Sequence, residues 1–462
     1  MIFNPVIIGV RQFKVTRYAR RAGGLRVREY MAQPVQFELL VKSELQAMSP
    51  PTARQTPLFS WHAAHGARMV EFGGWTMPLN YQSGILQEHL ATRWRAGLFD
   101  VSHMGRFKIE GETAEDFALT VLTNSARSLE VLQAQYTFLA NEQGGAIDDA
   151  YLYKLARGEF LLVVNASNRD KDWLWLQQHK CAGVELSDVS DETSMIAIQG
   201  PASASILQSV IGKEALPESR RNCCSIARVD GQPLLIARTG YTGEVIGFEL
   251  FPKSEHLPAL WERLISLGAV PAGLGARDTL RIEAGLPLYG HELGRDHDGK
   301  DIPIFANTFA SFAVRVPDRH DYIGQAQLDD QRKELQLIKR GELRTPLGDR
   351  ILKRLVRPIV SRTDKRPFRA GSKVFRGDEM LGYVSSGTVA PYSWKSDREG
   401  KEMETGEPLL RPIGLALIDS TLGYRSDPSL VLRVIDDRGR GMAAEWVTSN
   451  LVGAYDARPA AS

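Results

Sequence analysis

Two adjacent acids follow two adjacent glycines in the run Gly144-Gly145-Ala146-Ile147-Asp148-Asp149. The glycines favour a tight turn, and an apolar strand begins just as the acids occur. Because neighbouring strand residues face opposite sides, one acid points to solvent or to the turn, and the other points to the interior. A carboxylate in the interior needs a cationic or hydrogen-bonding partner. The pair is therefore a candidate site, and a solvated hairpin turn is the alternative.

A second candidate is an acid inside an apolar strand. The turn Arg238-Thr239-Gly240-Tyr241-Thr242-Gly243-Glu244 precedes the run Phe248-Glu249-Leu250-Phe251. The carboxylate of Glu249 can accept two parallel N–H donors from an amide-like edge, such as that of a pterin or a guanine. The alternative is that Glu249 faces water on an amphipathic strand.

A third candidate is the run 273–289, which predicts a helix that begins at glycines. It carries Arg277 and Arg281 four residues apart, so both side chains lie on one face of the helix. The neighbouring acids Asp278 and Glu283 are able to neutralise both arginines. This helix is therefore either a ligand-binding element or simply a salt-bridged helix.

Several kinds of site are absent from the sequence. It has no GxxxxGK[ST] phosphate loop and no GxSxG motif, and the run 273–278 lacks the third glycine of a dinucleotide-binding fingerprint. No HExxH pair occurs, and the three cysteines, Cys181, Cys223 and Cys224, lack the spacing of metal ligands. We expect no metal, no nucleotide cofactor and a reducing intracellular compartment.

Composition excludes further classes of protein. The chain has 462 residues, enough for two or three domains, and 57 Lys+Arg against 55 Asp+Glu give a net charge of +2. That balance predicts no large basic surface for nucleic acid. No apolar run approaches the roughly 18 residues needed to cross a bilayer, so we expect no membrane association.

Short strands and amphipathic helices alternate from about Thr56 onward. The run 84–96 predicts a helix with Ile85, His89 and Trp94 on one face, and with Glu88, Arg93 and Arg95 towards water. Further strands are predicted at 104–109, 151–155, 160–164, 195–198, 234–237 and 248–251, and further helices at 114–122, 170–178 and 256–267. The pattern indicates a mixed α/β body of antiparallel hairpins with crossing helices.

The tail after about Thr345 carries short, scattered strands and few helix signals. That pattern predicts a separate small β-barrel. We expect one domain at residues 51–335 and a barrel domain at 345–455. Residues 392–405 add a polar insertion to the barrel.

Residues 1–50 fit neither domain. Up to Met31 they carry seven basic residues against the single acid Glu29, as transit peptides do, but no serine occurs before Ser43. We expect a non-structural extension that is dispensable before about Met48, and a targeting peptide is the alternative. The expected compartment is the cytoplasm, or the mitochondrial matrix if the extension is a real transit peptide.

Motifs along residues 56–290 together resemble the glycine-cleavage T-protein (aminomethyltransferase) family, in the order found in that family. They include GLFDVSHMG at 97–105, GGAIDD at 144–149, VVNA at 163–166, IQGP at 198–201, GYTGE at 240–244 and ARDTLRIEAG at 276–285. The resemblance implies an α+β, tetrahydrofolate-binding fold of interleaved α/β subdomains followed by a C-terminal β-barrel. It also implies transfer of a one-carbon unit from aminomethyl-lipoyl H-protein to tetrahydrofolate, giving 5,10-methylenetetrahydrofolate and ammonia.

The resemblance implies roles for eight residues. Asp149 matches the family's essential carboxylate beside the reacting nitrogens of tetrahydrofolate, the co-substrate, and Glu249 matches the acid that holds the pterin edge. The other matches line the folate pocket or contact the ligand: Met104, Val163, Asn165, Tyr241 and Arg277, with Phe312 in place of a stacking tryptophan. The implied partners are the lipoylated H-protein, bound transiently, and functionally glycine decarboxylase and dihydrolipoamide dehydrogenase.

The chain departs from the family between His291 and Phe312, where the expected tryptophan is absent. This segment shapes substrate access, so the departure bears on the one-carbon donor more than on folate binding. Two alternatives stay open: a folate-dependent demethylase of a small methylated substrate, and a folate-binding accessory protein without turnover. Accessory relatives carry a Lys-Gly-Cys-Tyr type motif that this chain lacks.

Overall fold

A computed structural model gives the fold and describes residues 53–316, 321–392, 409–422 and 430–447. The predictions for residues 1–50 and for residues 393–405 of the insertion lie outside that part of the chain. In the described residues the strands form three open sheets and one closed barrel. None of the helices described there is long and apolar enough to cross a membrane.

Eight α-helices occur in the described residues, and those predicted from the sequence lie close to their predicted positions. Their bounds are α1 Phe59–Ala64, α2 Gly84–Trp94, α3 Ala114–Val121, α4 Arg169–Gln178, α5 Ser203–Ile211, α6 Leu257–Ser266, α7 Leu274–Glu283 and α8 Gln325–Arg340. The helices α1, α5 and α8 were not predicted.

The strands before residue 300 form the three open sheets. They are β1 Arg54–Gln55, β2 Arg68–Phe72, β3 Trp75–Asn80, β4 Gly97–Asp100, β5 Gly105–Glu110, β6 Gln133–Ala140, β7 Ala146–Ala156, β8 Glu159–Val164, β9 Glu185–Asp188, β10 Ile196–Gln199, β11 Cys224–Val229, β12 Gln232–Ala237, β13 Gly247–Phe251 and β14 Val270–Ala272. The sheet orders are β1-β3-β2, β11-β12-β13-β10-β4-β14 and β6-β7-β8-β5-β9. Most neighbours in the two larger sheets are antiparallel, as the hairpin pattern predicts.

The six-stranded and the five-stranded sheet share one core. Phe99 and Ala197 of the six-stranded sheet lie in the same buried cluster as Tyr153 and Val163 of the five-stranded sheet. Fully burying a side chain such as that of Phe99 or Val163 contributes about 1.5–3 kcal/mol. The two sheets therefore pack against each other through these faces.

The six remaining strands close into a barrel and confirm the predicted fold class. They are β15 Arg354–Val360, β16 Lys373–Arg376, β17 Glu379–Tyr392, β18 Leu409–Asp419, β19 Leu432–Ile435 and β20 Gly441–Trp446, in the order β15-β18-β17-β16-β19-β20. β15 was not predicted because it contains Arg354 and Arg357. The Arg357 guanidinium is buried over the ring of Trp446, 4.5 Å from its centroid. The domain boundaries at 335 and 345 stay predictions.

The prediction for the faces of α2 was wrong for three of the six residues that it placed, whereas His89 is buried and Arg95 is exposed as predicted. Glu88 and Arg93 are buried, whereas Trp94 is exposed. Glu88 accepts hydrogen bonds from the backbone N–H groups of Tyr81 (2.5 Å) and Gly273 (2.9 Å). Because these partners and those of Arg93 satisfy the charged groups, both side chains are able to lie in the interior.

Helix α7 is shorter than the predicted 273–289. It ends at Glu283, and Gly285 follows with a φ of +70°. The N–H of Gly285 bonds to the carbonyl of Ile282, and the N–H of Leu286 bonds to that of Arg281. This pair of bonds is the usual glycine-dependent end of a helix, and the sequence pattern alone did not locate it.

Candidate active site

The turn before the two acids requires both glycines. Gly144 has a φ of +76°, and a Cβ there would lie 2.5 Å from Nε2 of Gln331 on α8. A Cβ at Gly145 would lie 2.6 Å from Oδ2 of Asp301. The Gln331 amide donates to the carbonyl of Gly144 at 2.9 Å, so α8 fixes the turn from which β7 begins.

Asp148 and Asp149 lie on opposite sides of β7, as the alternation predicts, and neither is in a solvated turn. Asp148 is fully buried and accepts N–H groups from the backbone (2.9 Å) and side chain (2.8 Å) of Asn165 and from Asn168 (2.6 Å). Asp149 is half-buried and accepts hydrogen bonds from Asn165 Nδ2 (2.8 Å) and the Tyr136 hydroxyl (3.0 Å). The Asn165 amide thus bridges both acids.

Burial and the neighbouring charge of Asp148 raise the pKa of Asp149 to about 7. The hydrogen bonds from Tyr136 and Asn165 favour the carboxylate, but they do not cancel the effect of burial. Asp149 therefore changes charge near neutral pH, which is common for groups that take part in chemistry.

Strand β13 directs Glu249 into the space between the two larger sheets, so the water-facing alternative is wrong. Its Oε2 accepts hydrogen bonds from the hydroxyls of Tyr153 (2.9 Å) and Thr239 (2.5 Å). Its Oε1 accepts no hydrogen bond from any described residue. The Glu249 carboxylate is therefore oriented through one oxygen and has the other available for a ligand.

The two arginines of α7 have different surroundings. Arg281 is ion-paired through Nε with Asp278 and through Nη1 with Glu292, both at 2.9 Å. Arg277 lies over the ring of Tyr241, 4.8 Å from its centroid, and its buried Nη1 has no hydrogen-bond partner in the described part of the chain. Arg281 is therefore the salt-bridged residue, and Arg277 has an unused donor.

The turn that carries Tyr241 is fixed by hydrogen bonds of two of its residues, Tyr241 and Glu244. Its hydroxyl donates to the carbonyl of Pro287, just beyond the end of α7. Glu244, three residues later, accepts a hydrogen bond from Nη1 of Arg93 at 2.7 Å, and Glu283 of α7 pairs with Nη2 of Arg93 at 2.6 Å. The buried Arg93 thus joins α2, α7 and the turn that carries Tyr241.

The other predicted residues lie around the same region. Val163 is buried on β8 directly across from Tyr151, and Met104 packs against the core cluster shared by the two sheets. Phe312 is 65% exposed, and its ring lies 5.9 Å from that of Tyr136, the residue that donates to Asp149. Contacts through the tyrosines therefore link Phe312 and Asp149 with Glu249.

Sequence reasoning missed three tyrosines between the two carboxylates. The ring centroids of Tyr136 and Tyr151 are 6.3 Å apart, and those of Tyr151 and Tyr153 are 5.5 Å apart. Tyr151 and Tyr153 follow Asp149 by two and four residues, a spacing that puts all three on one face of a strand. That spacing is a signal that could have identified two of the three.

The segment that departs from the family is fixed to the barrel where it begins. Glu292 is buried, and its Oε1 accepts the hydroxyls of Ser385 and Ser386, each at 2.6 Å. Nδ1 of His291 lies 3.1 Å from the carbonyl of Ser385. Together with the ion pair to Arg281, these bonds join the segment, α7 and β17.

Comparisons with known proteins agree on one family. Residues 58–304 match the family described as the GCVT N-terminal domain. The chain is 40% identical over 372 residues to aminomethyltransferases of Bacillus cereus and Bacillus mycoides, across 80% of this chain and 90% of each relative. The crystal structure of the glycine cleavage system aminomethyltransferase T from Bartonella henselae matches with a TM-score of 0.68 at 27% identity, covering 87% of this chain and 98% of that one.

Proposed function

The chain belongs to the aminomethyltransferase family of the glycine cleavage system, and from this membership we propose how its own residues bind folate and carry out the transfer. The activity is that of the family, and no observation favours the demethylase or the accessory-protein alternative. The family binds tetrahydrofolate and works within the glycine cleavage system. The residue roles and the identity of the donor in this chain are the proposal.

Tetrahydrofolate binds between the two larger sheets, with its pterin edge on Glu249. The free Oε1 of Glu249 supports this placement because a pterin edge presents N–H donors. The buried Nη1 of Arg277 supplies a donor for an acceptor of the same ligand, and leaving such a donor unused costs free energy. The tyrosine rings provide a flat wall, and the exposed ring of Phe312 supplies a stacking surface.

Asp149 acts as a fixed negative charge beside the reacting atoms. Tetrahydrofolate supplies the nitrogens that accept the one-carbon unit, while ammonia and the lipoyl thiol leave. Positive charge develops on the carbon during the transfer, and the Asp149 carboxylate, already oriented by Tyr136 and Asn165, stabilises that charge without reorganising. The observation that carries the proposal is the placement of two oriented carboxylates, Asp149 and Glu249, along one wall of tyrosines.

The proposed donor is the aminomethyl group on the lipoyl arm of the H-protein. Glycine decarboxylase would load this carrier, and dihydrolipoamide dehydrogenase would reoxidise it. The segment at 291–312 is bonded to the barrel where it begins, and farther along it supplies Phe312 to the proposed site. The departure of this segment from the family sequence is therefore consistent with the H-protein as donor.

Replacing Glu249 by Ala should weaken tetrahydrofolate binding by roughly 1.5–3 kcal/mol, because a charged hydrogen-bond acceptor is lost. Calorimetry should show the dissociation constant rising by roughly 10- to 150-fold. Glu255→Ala is the matched control, since that side chain is exposed next to the same sheet region. An unchanged affinity in a folded Glu249→Ala protein would remove Glu249 from the folate site.

The rate should depend on pH through Asp149. Its acting form is the carboxylate, and its pKa is about 7, so kcat/KM should rise as the pH increases through about 7. In Asp149→Asn this limb of the profile should disappear. A wild-type kcat/KM that stays level between about pH 6 and 8 would contradict the proposed charge state.

A further inference from the structure

Asp172 is a fully buried acid on α4 that the proposed mechanism does not use. Neither of its oxygens has a hydrogen-bond donor among the described residues, although its carboxyl lies within hydrogen-bonding range of Asp148. Its neighbour Lys171 forms no hydrogen bond with it, because the Lys171 ammonium donates to the carbonyl of Ile147 (2.6 Å), to Asn168 (3.0 Å) and to the hydroxyl of Tyr289 (3.0 Å). An ionised Asp172 would therefore be a buried charge without a hydrogen-bond donor.

Asp148, unlike Asp172, is surrounded by hydrogen-bond donors. Three N–H groups, two from Asn165 and one from Asn168, point at its oxygens, which is the environment of a carboxylate. Two carboxyls side by side cannot both ionise in the interior, and one proton between them resolves the conflict. The donors decide which residue is ionised: Asp148 has three, and Asp172 has none.

We propose that Asp172 is a positioning residue, which keeps a proton and donates it to Asp148. The hydrogen bond completes the shell of donors around Asp148. Asp148 in turn holds the amide of Asn165, and that amide orients the carboxylate of Asp149. Asp172 would thus act on the reaction through Asp148 and Asn165, and the activity part of its test rests on the proposed role of Asp149.

The pKa values agree with this geometry. Burial and the charge of Asp148 raise the pKa of Asp172 to about 11. The titratable groups that face this pair or Asp149 come from four elements: Asp149 on β7, Tyr136 on β6, Lys171 on α4 and Tyr241 on its turn. Lys171 is the cation among them; its charge lowers the pKa of Asp172, but burial and the charge of Asp148 outweigh it.

The proton can be tested without any assay of activity. Asp172→Asn replaces the proposed O–H donor by an N–H donor of similar shape, so the variant should fold. At about pH 9, where ordinary carboxyls and Asp149 are ionised, the infrared spectrum of the wild-type protein should retain a protonated-carboxyl band that Asp172→Asn lacks. Asp170→Asn is the control on the same helix, because the Asp170 side chain is 83% exposed, and it should keep the band.

Thermal unfolding gives a second measurement with a defined sign. The pKa of Asp172 is higher in the folded than in the unfolded chain, so its contribution to stability is complete below about pH 4 and declines as the pH rises towards 11. Asp172→Asn has no such decline, and its Tm relative to wild type should increase between about pH 5 and pH 9. A constant Tm difference and the absence of the infrared band would overturn the proposal.

The pH profile of kcat/KM distinguishes a failure of this proposal from a failure of the proposed role of Asp149, on which it rests. If Asp172 is neutral, Asp172→Asn leaves the pH midpoint of kcat/KM unchanged. Asp172→Ala, which lacks the donor, should have a lower kcat than the wild-type protein. Asp172→Asn, which keeps a donor, should have a kcat close to that of the wild-type protein. A midpoint that moves to lower pH in Asp172→Asn would mean that a negative charge was removed. That result would refute the proposal that Asp172 is protonated. If the wild-type protein has no such midpoint, the proposed role of Asp149 is wrong. The infrared and Tm results then still show whether Asp172 carries a proton.

Discussion

Asp149→Asn should lower turnover by roughly a hundredfold or more, the loss expected when a preorganised electrostatic contact to a developing charge is removed. The asparagine keeps the shape of the side chain and removes only its charge. Because burial already disfavours the ionised form of Asp149, the substitution should leave Tm unchanged or raise it. Single-turnover kinetics and thermal unfolding on the same preparations measure both effects.

The neighbouring acid provides the contrast. Asp148→Asn disturbs three N–H donors, so it should lower Tm as well as activity. Asp170→Asn makes the same chemical change at an exposed position and should alter neither quantity. If Asp149→Asn turns over at nearly the wild-type rate, the essential charge lies elsewhere.

Arg93→Met should be the most destabilising of the changes considered, because it leaves Glu283 and Glu244 buried without their common cation. Breaking a buried ion pair from one side costs about 3–5 kcal/mol. Urea unfolding should show this loss as a lower midpoint. Since Arg93 also holds the turn of Tyr241, the folded fraction should bind tetrahydrofolate more weakly than wild type.

Arg95→Met is the matched control, since Arg95 follows α2 directly and its side chain is exposed. It should change stability little, as surface substitutions usually do. Similar unfolding midpoints for Arg93→Met and Arg95→Met would show that the network around Arg93 contributes little to the fold.

Much of the fold follows from local patterns in the sequence. The hairpin of β7 and β8 is predictable because apolar runs flank the turn at Arg157 and Gly158, and the barrel strands alternate in the same readable way. Both are short-range features, so residues close in sequence are enough to specify them. The strand β15 was missed because Arg357 is buried by a ring that lies 89 residues away in the chain.

The candidate site was predictable only in part, for a related reason. Asp149 and Glu249 were selected by their positions in apolar strands and by the family resemblance. Their partners come from other elements, as Tyr153 reaching Glu249 shows, and a local pattern contains no information about such pairs. The same limit applies to Arg93. Its charge predicted a position facing water, whereas the structure pairs it in the interior with two carboxylates.

The most direct test of the account mixes the purified protein with tetrahydrofolate and H-protein that carries the aminomethyl-lipoyl group. The expected result is formation of 5,10-methylenetetrahydrofolate and ammonia in equal amounts, with Asp149→Asn and H-protein lacking the lipoyl group as controls that give little of either. The contradicting result is that neither product forms with the loaded H-protein, while a free methylated amine is demethylated by the same preparation.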